Sequence, residues 1–285
     1  MTVESPLPTR DLDERVRAAT EIIRRETDRV PRVAITLGSG LGGAIDALEN
    51  ARTFHTAELP HWPRSTVHGH AGRLALGTWQ GVPVAALAGR SHRYEGYSLD
   101  RVTFGLRVMY ALGARIMIFT NAVGAINPEY EPADLMLAID HVNGIGKRGL
   151  FTPAELIERR AGRRLATYYS PRLGAALERS ALRAGVRLRR GVLMGGHGPS
   201  YETAAEVRMA AYVGADAACM STVHEVLTAA EIGCEAASLS CVTNLATGLT
   251  SEPLSHEDVT VVADRAAGGL RALLDEFMRV EANTI

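Results

Sequence analysis

The sequence predicts an α/β fold built on one mixed or largely parallel sheet, and three observations carry that expectation. Apolar runs of strand length recur along the chain, and several are apolar throughout, as in strands covered on both faces. Between some of them lie segments with apolar residues at helical spacing. The 285 residues, 46% of them hydrophobic, suffice for one large core. With no internal repeat, low-complexity segment or convincing linker, residues 1–285 read as a single domain.

In chain order, the first helix is expected from about Asp11 to Asp28. Val16, Ala19, Ile22 and Ile23 recur at helical spacing, and Asp11 and Asp13 stand near the start, where the helix dipole favours acids. The apolar run RVAITL follows and ends in the glycine cluster Gly38–Gly43. Further strands are read at GRLALGTW, VPVAALAG, RIMIFTNAV, DLMLAIDHV, GVLMGG, DAACM and EAASLSCVT. Leu99–Leu112 reads as a helix with Val102, Leu106, Met109 and Leu112 on one side. Thr203–Val213, Thr222–Ile232 and Ser255–Met278 also read as helices. HTAELPHWPRSTVHGHAG reads as loop. The stretch Lys147–Arg190 is strongly basic, with pairs at Arg159–Arg160, Arg163–Arg164 and Arg189–Arg190. A solvated pair of helices accounts for it, with a subunit contact or an RNA-touching patch as the lesser alternative.

Composition narrows the function classes. A balance of 31 Lys+Arg against 32 Asp+Glu does not point to nucleic acid, whose binders carry a basic excess. No apolar run reaches the roughly 18–20 residues that cross a bilayer. The segment MTVESPLPTRDLDER is polar and mixed in charge, unlike a signal peptide. Cys219, Cys234 and Cys241 are odd in number and lack metal-type spacing, so they read as buried thiols in a reducing compartment. A soluble cytoplasmic protein with no membrane or nucleic-acid partner is expected.

Several segments can carry chemistry. LGSGLGG, directly after a strand, lets the backbone turn tightly and present N–H groups to an anion, with Ser39 as a hydroxyl donor. It also matches a dinucleotide fingerprint through Gly38, Gly40 and Gly43, but no persuasive βαβ unit follows. A plain glycine turn remains the structural alternative. GRSHRYEG stands at a strand end, where Arg90 offers a planar fork for two phosphate oxygens. In an extended segment His92 and Tyr94 project to the same face as Arg90. Asn121 and Ala122 lie where an apolar strand stops, a place for a backbone N–H to face a ligand. Glu202 sits beside an aromatic and just before a helix, able to accept from the paired N–H donors of a heterocycle or simply to favour the helix start. Met220 and Ser221 follow a strand. The amide of Asn244, after Thr243, can both donate and accept, which suits a purine edge. His256 completes the set.

Together these segments resemble the trimeric purine nucleoside phosphorylase family, in matching order: LGSGLG, PRSTVHGHAGRL, GRSHRYEGY, TNAVGAINP, GPSYET, GADAACMSTVHEV, TNLATG and LSHEDV. The resemblance implies an α/β sandwich around a mixed, barrel-like sheet flanked by helices, assembled as a homotrimer. It implies phosphorolysis of 6-oxopurine ribonucleosides or deoxyribonucleosides, a purine salvage reaction. Inorganic phosphate is then a co-substrate, with no metal or organic cofactor. Position by position, Ser39, His70, Arg90, His92, the backbone at Ala122, and Ser221 resemble the phosphate site. Tyr94, Met220 and His256 resemble the ribose contacts, and Glu202, Thr243 and Asn244 the base contacts, with Asn121 beside them. Asn244, His92 and Glu202 are the residues that the resemblance places closest to the chemistry. Relatives acting on methylthioadenosine typically carry Asp where this chain has Asn244, so Asn244 resembles the 6-oxopurine type.

The chain also departs from the family pattern. GKRGLFTPAELIERRAGRRLATYYSPRL replaces the usual segment from which a neighbouring subunit supplies an aromatic over the ribose; Phe151, Tyr168 and Tyr169 are all candidates. Ser91 replaces a usual phenylalanine, His224 a usual proline and Cys219 a usual glycine. A methylthioadenosine or methylthioinosine phosphorylase and a catalytically silent nucleoside-binding paralogue are the alternatives; a nicotinamide-dependent enzyme is the weakest reading.

Overall fold

The computed structural model describes residues 9–67, 72–145, 168–250, 256–282 and 284, with the backbone alone at residues 9 and 256–260. Among the described residues, nine strands form one sheet. They are β1 (Val33–Leu37), β2 (Glu49–His55), β3 (Arg73–Trp79), β4 (Val82–Ala88), β5 (Ile116–Ala125), β6 (Leu135–Asn143), β7 (Leu188–Gly195), β8 (Ala217–Cys219) and β9 (Glu235–Leu245). The order is β2-β3-β4-β1-β5-β8-β7-β6-β9, and β9 returns to pair with β5. The strands from β5 to β9 therefore close into a barrel, while β1 to β4 form an open wing hinged on β5. The ring is mixed: β5–β9, β6–β7 and β7–β8 run parallel, β5–β8 and β6–β9 antiparallel. The expected mixed, barrel-like sheet is what the chain forms.

β5 serves two partners along one edge. It pairs with β1 as far as Phe119, opposite Thr36, and with β8 only at Gly124 and Ala125. Its other edge runs along β9 throughout. Thr120–Val123 are thus left without a strand partner on the first edge, where the sheet forks.

Helices cover both faces, as continuously apolar strands require. On one face, α1 (Thr9–Glu26), α3 (Phe104–Ala111) and α6 (Thr222–Glu231) bury Ile23, Met109 and Val226 against Met117 and Phe119 of β5. On the other, α4 (Pro171–Arg183) and α7 (His256–Glu276) bury Leu177 and Leu273 against Ile118 and Leu239. The short α2 (Leu99–Val102) precedes α3, and α5 (Ala204–Tyr212) follows β7. No helix among the described residues is long and apolar enough to cross a membrane.

The differences from the sequence expectations have local causes. β2 had no apolar run to announce it: it is an edge strand in which Phe54 alone is buried. Leu99–Leu112 is not one helix but α2 and α3, interrupted at Thr103, whose hydroxyl donates to the Leu99 carbonyl at 2.8 Å. Arg189 and Arg190 belong to β7 rather than to a helix, and pair with Asp134 and Glu178 at 3.0 and 3.5 Å. One helix of the basic stretch is α4, capped by Ser170, whose hydroxyl accepts from Leu173 N at 3.3 Å. The remaining arginine pairs, Arg159–Arg160 and Arg163–Arg164, lie outside the described residues.

Candidate active site

The unpaired stretch of β5 is where the C-terminal ends of the parallel strands β1, β4 and β9 arrive together. β8 runs the other way and delivers Met220 and Ser221 to the same place. Crevices at diverging strand ends are where open α/β sheets take ligands. The cleft there, about 790 Å³ with its mouth, is lined by Ser39, Arg90, His92, Tyr94, Asn121, Ala122, Glu202, Met220, Ser221, Thr243 and Asn244. The structure thus gathers these residues, which are far apart in sequence, around one space. His70 lies outside the described residues, as does the side chain of His256, whose backbone opens α7.

The turn after β1 can come this close only because residue 38 is glycine. A Cβ there would stand 2.8 Å from the Thr120 carbonyl oxygen and 2.9 Å from Asn121 Cα. Beside it, Arg90 leaves β4 and is held from three directions. Its Nη1 donates to Ser221 Oγ at 3.1 Å, its Nη2 to the Thr120 carbonyl at 2.7 Å, and its Nε lies 3.1 Å from Glu225 Oε1. Ser221 occupies the N-cap position of α6 without a side-chain capping bond, so the positive end of that helix adds to the cationic character of this corner. Arg90, His92 and Ser221 make an anion-seeking corner.

His92 owes its orientation to Glu95, three residues on. Glu95 Oε1 accepts from His92 N at 2.6 Å and lies 3.3 Å from His92 Nδ1. Its Oε2 accepts from Thr66 N and Oγ1 at 2.5 and 2.8 Å. Burial alone would raise this carboxyl, but those hydrogen bonds outweigh it and hold it down at about 2. Tyr94 stacks on the His92 ring with centroids 4.8 Å apart and planes 14° apart. Burial pushes its phenol up to about 12, so it stays protonated.

Amide and carboxylate groups line the same cleft. The Thr243 hydroxyl lies within reach of both the Val123 carbonyl and Asn244 Oδ1, at 3.2 and 2.8 Å. Asn244 Nδ2 donates to the Leu245 carbonyl at 2.9 Å, so the amide is held at both ends. Glu202 is half-buried across from it, and burial raises its carboxyl above the usual carboxylate value. Gly196 makes room for it: a Cβ there would sit 2.8 Å from Glu202 Oε1. Asn121, on the floor, is 2% exposed and neither end of its amide finds a partner among the described residues.

Two carboxylates of this site carried no expectation from sequence, Glu95 and Glu225. Each had a spacing signal: Glu95 stands at the capping-box distance from His92, and Glu225 one helical turn beyond Ser221. Tyr169, one candidate for an aromatic reaching a neighbouring subunit, is only 4% exposed and packs into this chain's own core beside His141. That position removes it from the candidates. Tyr168 is half-buried, its ring 5.5 Å from His141, and Phe151 lies outside the described residues. Two of the three departures from the family pattern are titratable and add no charge. Burial, with cationic neighbours led by His92, pushes His224 down to about 3, and burial pushes the Cys219 thiol up to about 11.

Comparisons with known proteins identify the family. The sequence matches the phosphorylase superfamily over residues 32–279. Purine nucleoside phosphorylase 1 of Bacillus subtilis is 40% identical over 263 residues, which is 92% of this chain and 97% of that protein. Purine nucleoside phosphorylase of Mycobacterium tuberculosis is 39% identical over 273 residues, 95% of this chain and 98% of that one. The crystal structure of Schistosoma mansoni purine nucleoside phosphorylase in complex with adenosine superposes with a TM-score of 0.85 at 30% identity, covering 94% of this chain and 97% of that one. Isoform 2 from the same organism, crystallised with cytosine and ribose-1-phosphate, gives 0.84 at 31%, covering 94% and 96%. With sequence and fold matching over nearly its whole length, the chain belongs to the phosphorylase superfamily, among its purine nucleoside phosphorylases.

Proposed function

We propose that this enzyme cleaves 6-oxopurine nucleosides, inosine and guanosine and their deoxy forms, with inorganic phosphate, releasing the free base and pentose 1-phosphate. The observation that carries the reading is that the Arg90–His92–Ser221 corner and the Asn244–Glu202 pair line a single cleft.

Phosphate is held by Arg90, His92, Ser221 and Ser39, and by the backbone at Ala122, beneath the anomeric carbon. The bond from that carbon to the purine nitrogen breaks as the bond to a phosphate oxygen forms. The bonding electron pair leaves with the base. Negative charge then grows on the purine, where the amide of Asn244 can stabilise it at N7 while Glu202 accepts from N–H groups on the opposite edge. Fixing an anion and a sugar in register supplies much of the rate by orientation. Ser39 is a binder rather than an attacker, and the scheme uses neither metal nor organic cofactor. Tyr94, Met220 and His256 serve the ribose. Assembly as a homotrimer, with a neighbouring aromatic closing the sugar side, completes the proposal.

A 6-aminopurine reading has one observation in its favour, the structural relative crystallised with adenosine. The test is to follow base release from inosine with and without phosphate, with adenosine and methylthioadenosine in parallel. Phosphate-dependent release from inosine with little from the other two is expected. Preferential cleavage of methylthioadenosine would overturn the base assignment, and release without phosphate would overturn the role of the Arg90 corner.

A further inference from the structure

Glu225 is 3% exposed in its side chain and does not line the cleft, so it touches neither phosphate nor nucleoside. Its contact with the site is through Arg90, whose side chain is 4% exposed. The Ser221 hydroxyl and the Thr120 carbonyl hold the guanidinium by neutral hydrogen bonds, and Glu225 adds the charged contact, an ion pair whose Oε1 lies 3.1 Å from Nε without hydrogen-bond geometry. Its second oxygen, Oε2, is buried with no hydrogen-bond partner among the described residues, so Arg90 is the partner that compensates the carboxylate. Ser221 stands at the N-cap position of α6 and Glu225 one turn into it, so one helix start meets two edges of the guanidinium at once.

We propose that Glu225 is the positioning residue of the anion site: it sets the plane of the Arg90 fork so that the fork meets two phosphate oxygens. This rests on the phosphorolysis reading above. A guanidinium anchored at Nη1 and Nη2 alone can tilt about the line joining them, and a tilt takes its donors out of the plane that bidentate recognition needs. The buried carboxylate beside Nε opposes that tilt by charge attraction. The role has a geometric and an electrostatic part, and two substitutions separate them. Glu225→Asp keeps the charge but withdraws the carboxylate by one methylene. Glu225→Gln keeps the reach and the acceptor but removes the charge.

The experiment measures inorganic phosphate binding by calorimetry and phosphorolysis kinetics on the full-length protein, for wild type, E225D, E225Q, R90K and the E225D/R90K double variant. The expected result is a rise in phosphate Kd and KM of about tenfold in E225D and about threefold in E225Q, with the nucleoside KM unchanged in both. In the R90K background E225D should add no further loss, because its effect passes through the guanidinium. Wild-type phosphate affinity in E225D, a parallel rise in nucleoside KM, or an undiminished E225D effect on R90K would each overturn the proposal. Phosphate binding without phosphorolysis by the wild type would overturn the functional reading alone; no phosphate binding at all would overturn both.

Discussion

At the scale of single residues, the base wall offers the sharpest tests. Asn244 accepts from Thr243 and donates to the Leu245 carbonyl, so replacing its amide by a carboxylate removes that second hold as well as altering what the purine meets. Asn244→Asp is expected to raise the ratio of kcat/KM for adenosine over inosine by about tenfold, since a 6-amino group donates where a 6-oxo group accepts. Unchanged relative efficiencies would count against the assignment. Glu202 adds a pH signature. Burial raises its carboxyl, a backbone hydrogen bond opposes the shift, and Glu206 adds to it. A raised carboxyl takes up its proton earlier as the pH falls, so the nucleoside KM should begin to climb above the ordinary carboxylate range. Glu202→Gln should lower kcat/KM by about 10- to 100-fold and abolish that acid limb; a limb that persists in the variant belongs to another group.

At the scale of elements, the turn after β1 is where backbone meets backbone. Gly38→Ala would push a methyl into the Thr120 carbonyl and Asn121 Cα, neither of which is the yielding end of a side chain. A loss of about 1–3 kcal/mol in denaturant titrations is expected, together with a higher phosphate KM as the turn lifts away from β5. Unaltered stability would mean that the turn moves freely. The same scale shows what the sequence discloses. Strands buried on both faces, such as β4 and β5, announce themselves through unbroken apolar runs. β2 is as regular but leans on one neighbour and faces solvent, so its residues need not be apolar. Arg90 and His92 were readable from residue type and position at a strand end. Glu95 and Glu225 were not, because a carboxylate acquires its meaning from the partner it meets in three dimensions, and spacing alone leaves a solvated acid equally natural.

At the scale of the whole molecule, two devices hold distant parts together. One is the ion-pair cluster at the end of the chain, where Glu281 binds Arg179 at 2.6 Å and also Arg183, both on α4, tying the last residues back to the helix layer. Hydrogen bonds from Arg179, opposed by burial and reinforced by Arg183, hold its carboxyl down at about 2. A depressed carboxyl contributes stability above its unfolded value that is lost as pH falls through the folded one. Glu281→Gln should therefore melt below wild type at neutral pH, the two converging as pH falls toward about 2. A gap independent of pH would assign the effect to packing. The other device is the ring of β5 to β9. No run of apolar residues encodes which strand β9 will meet, so the closure came into view through resemblance to a family and not through pattern.

β5 belongs at once to the open wing and to the closed ring, and the cleft sits where it passes from one to the other. Ser39 and Arg90 come from the wing, while Asn244, Glu202 and Ser221 come from the ring or its connections. A polypeptide cut between these portions would yield two pieces, each with half a cleft and no catalytic remnant. Turnover regained during refolding would count only molecules whose ring has shut against the wing, a stricter gauge of the native state than any spectroscopic measure of helix or strand.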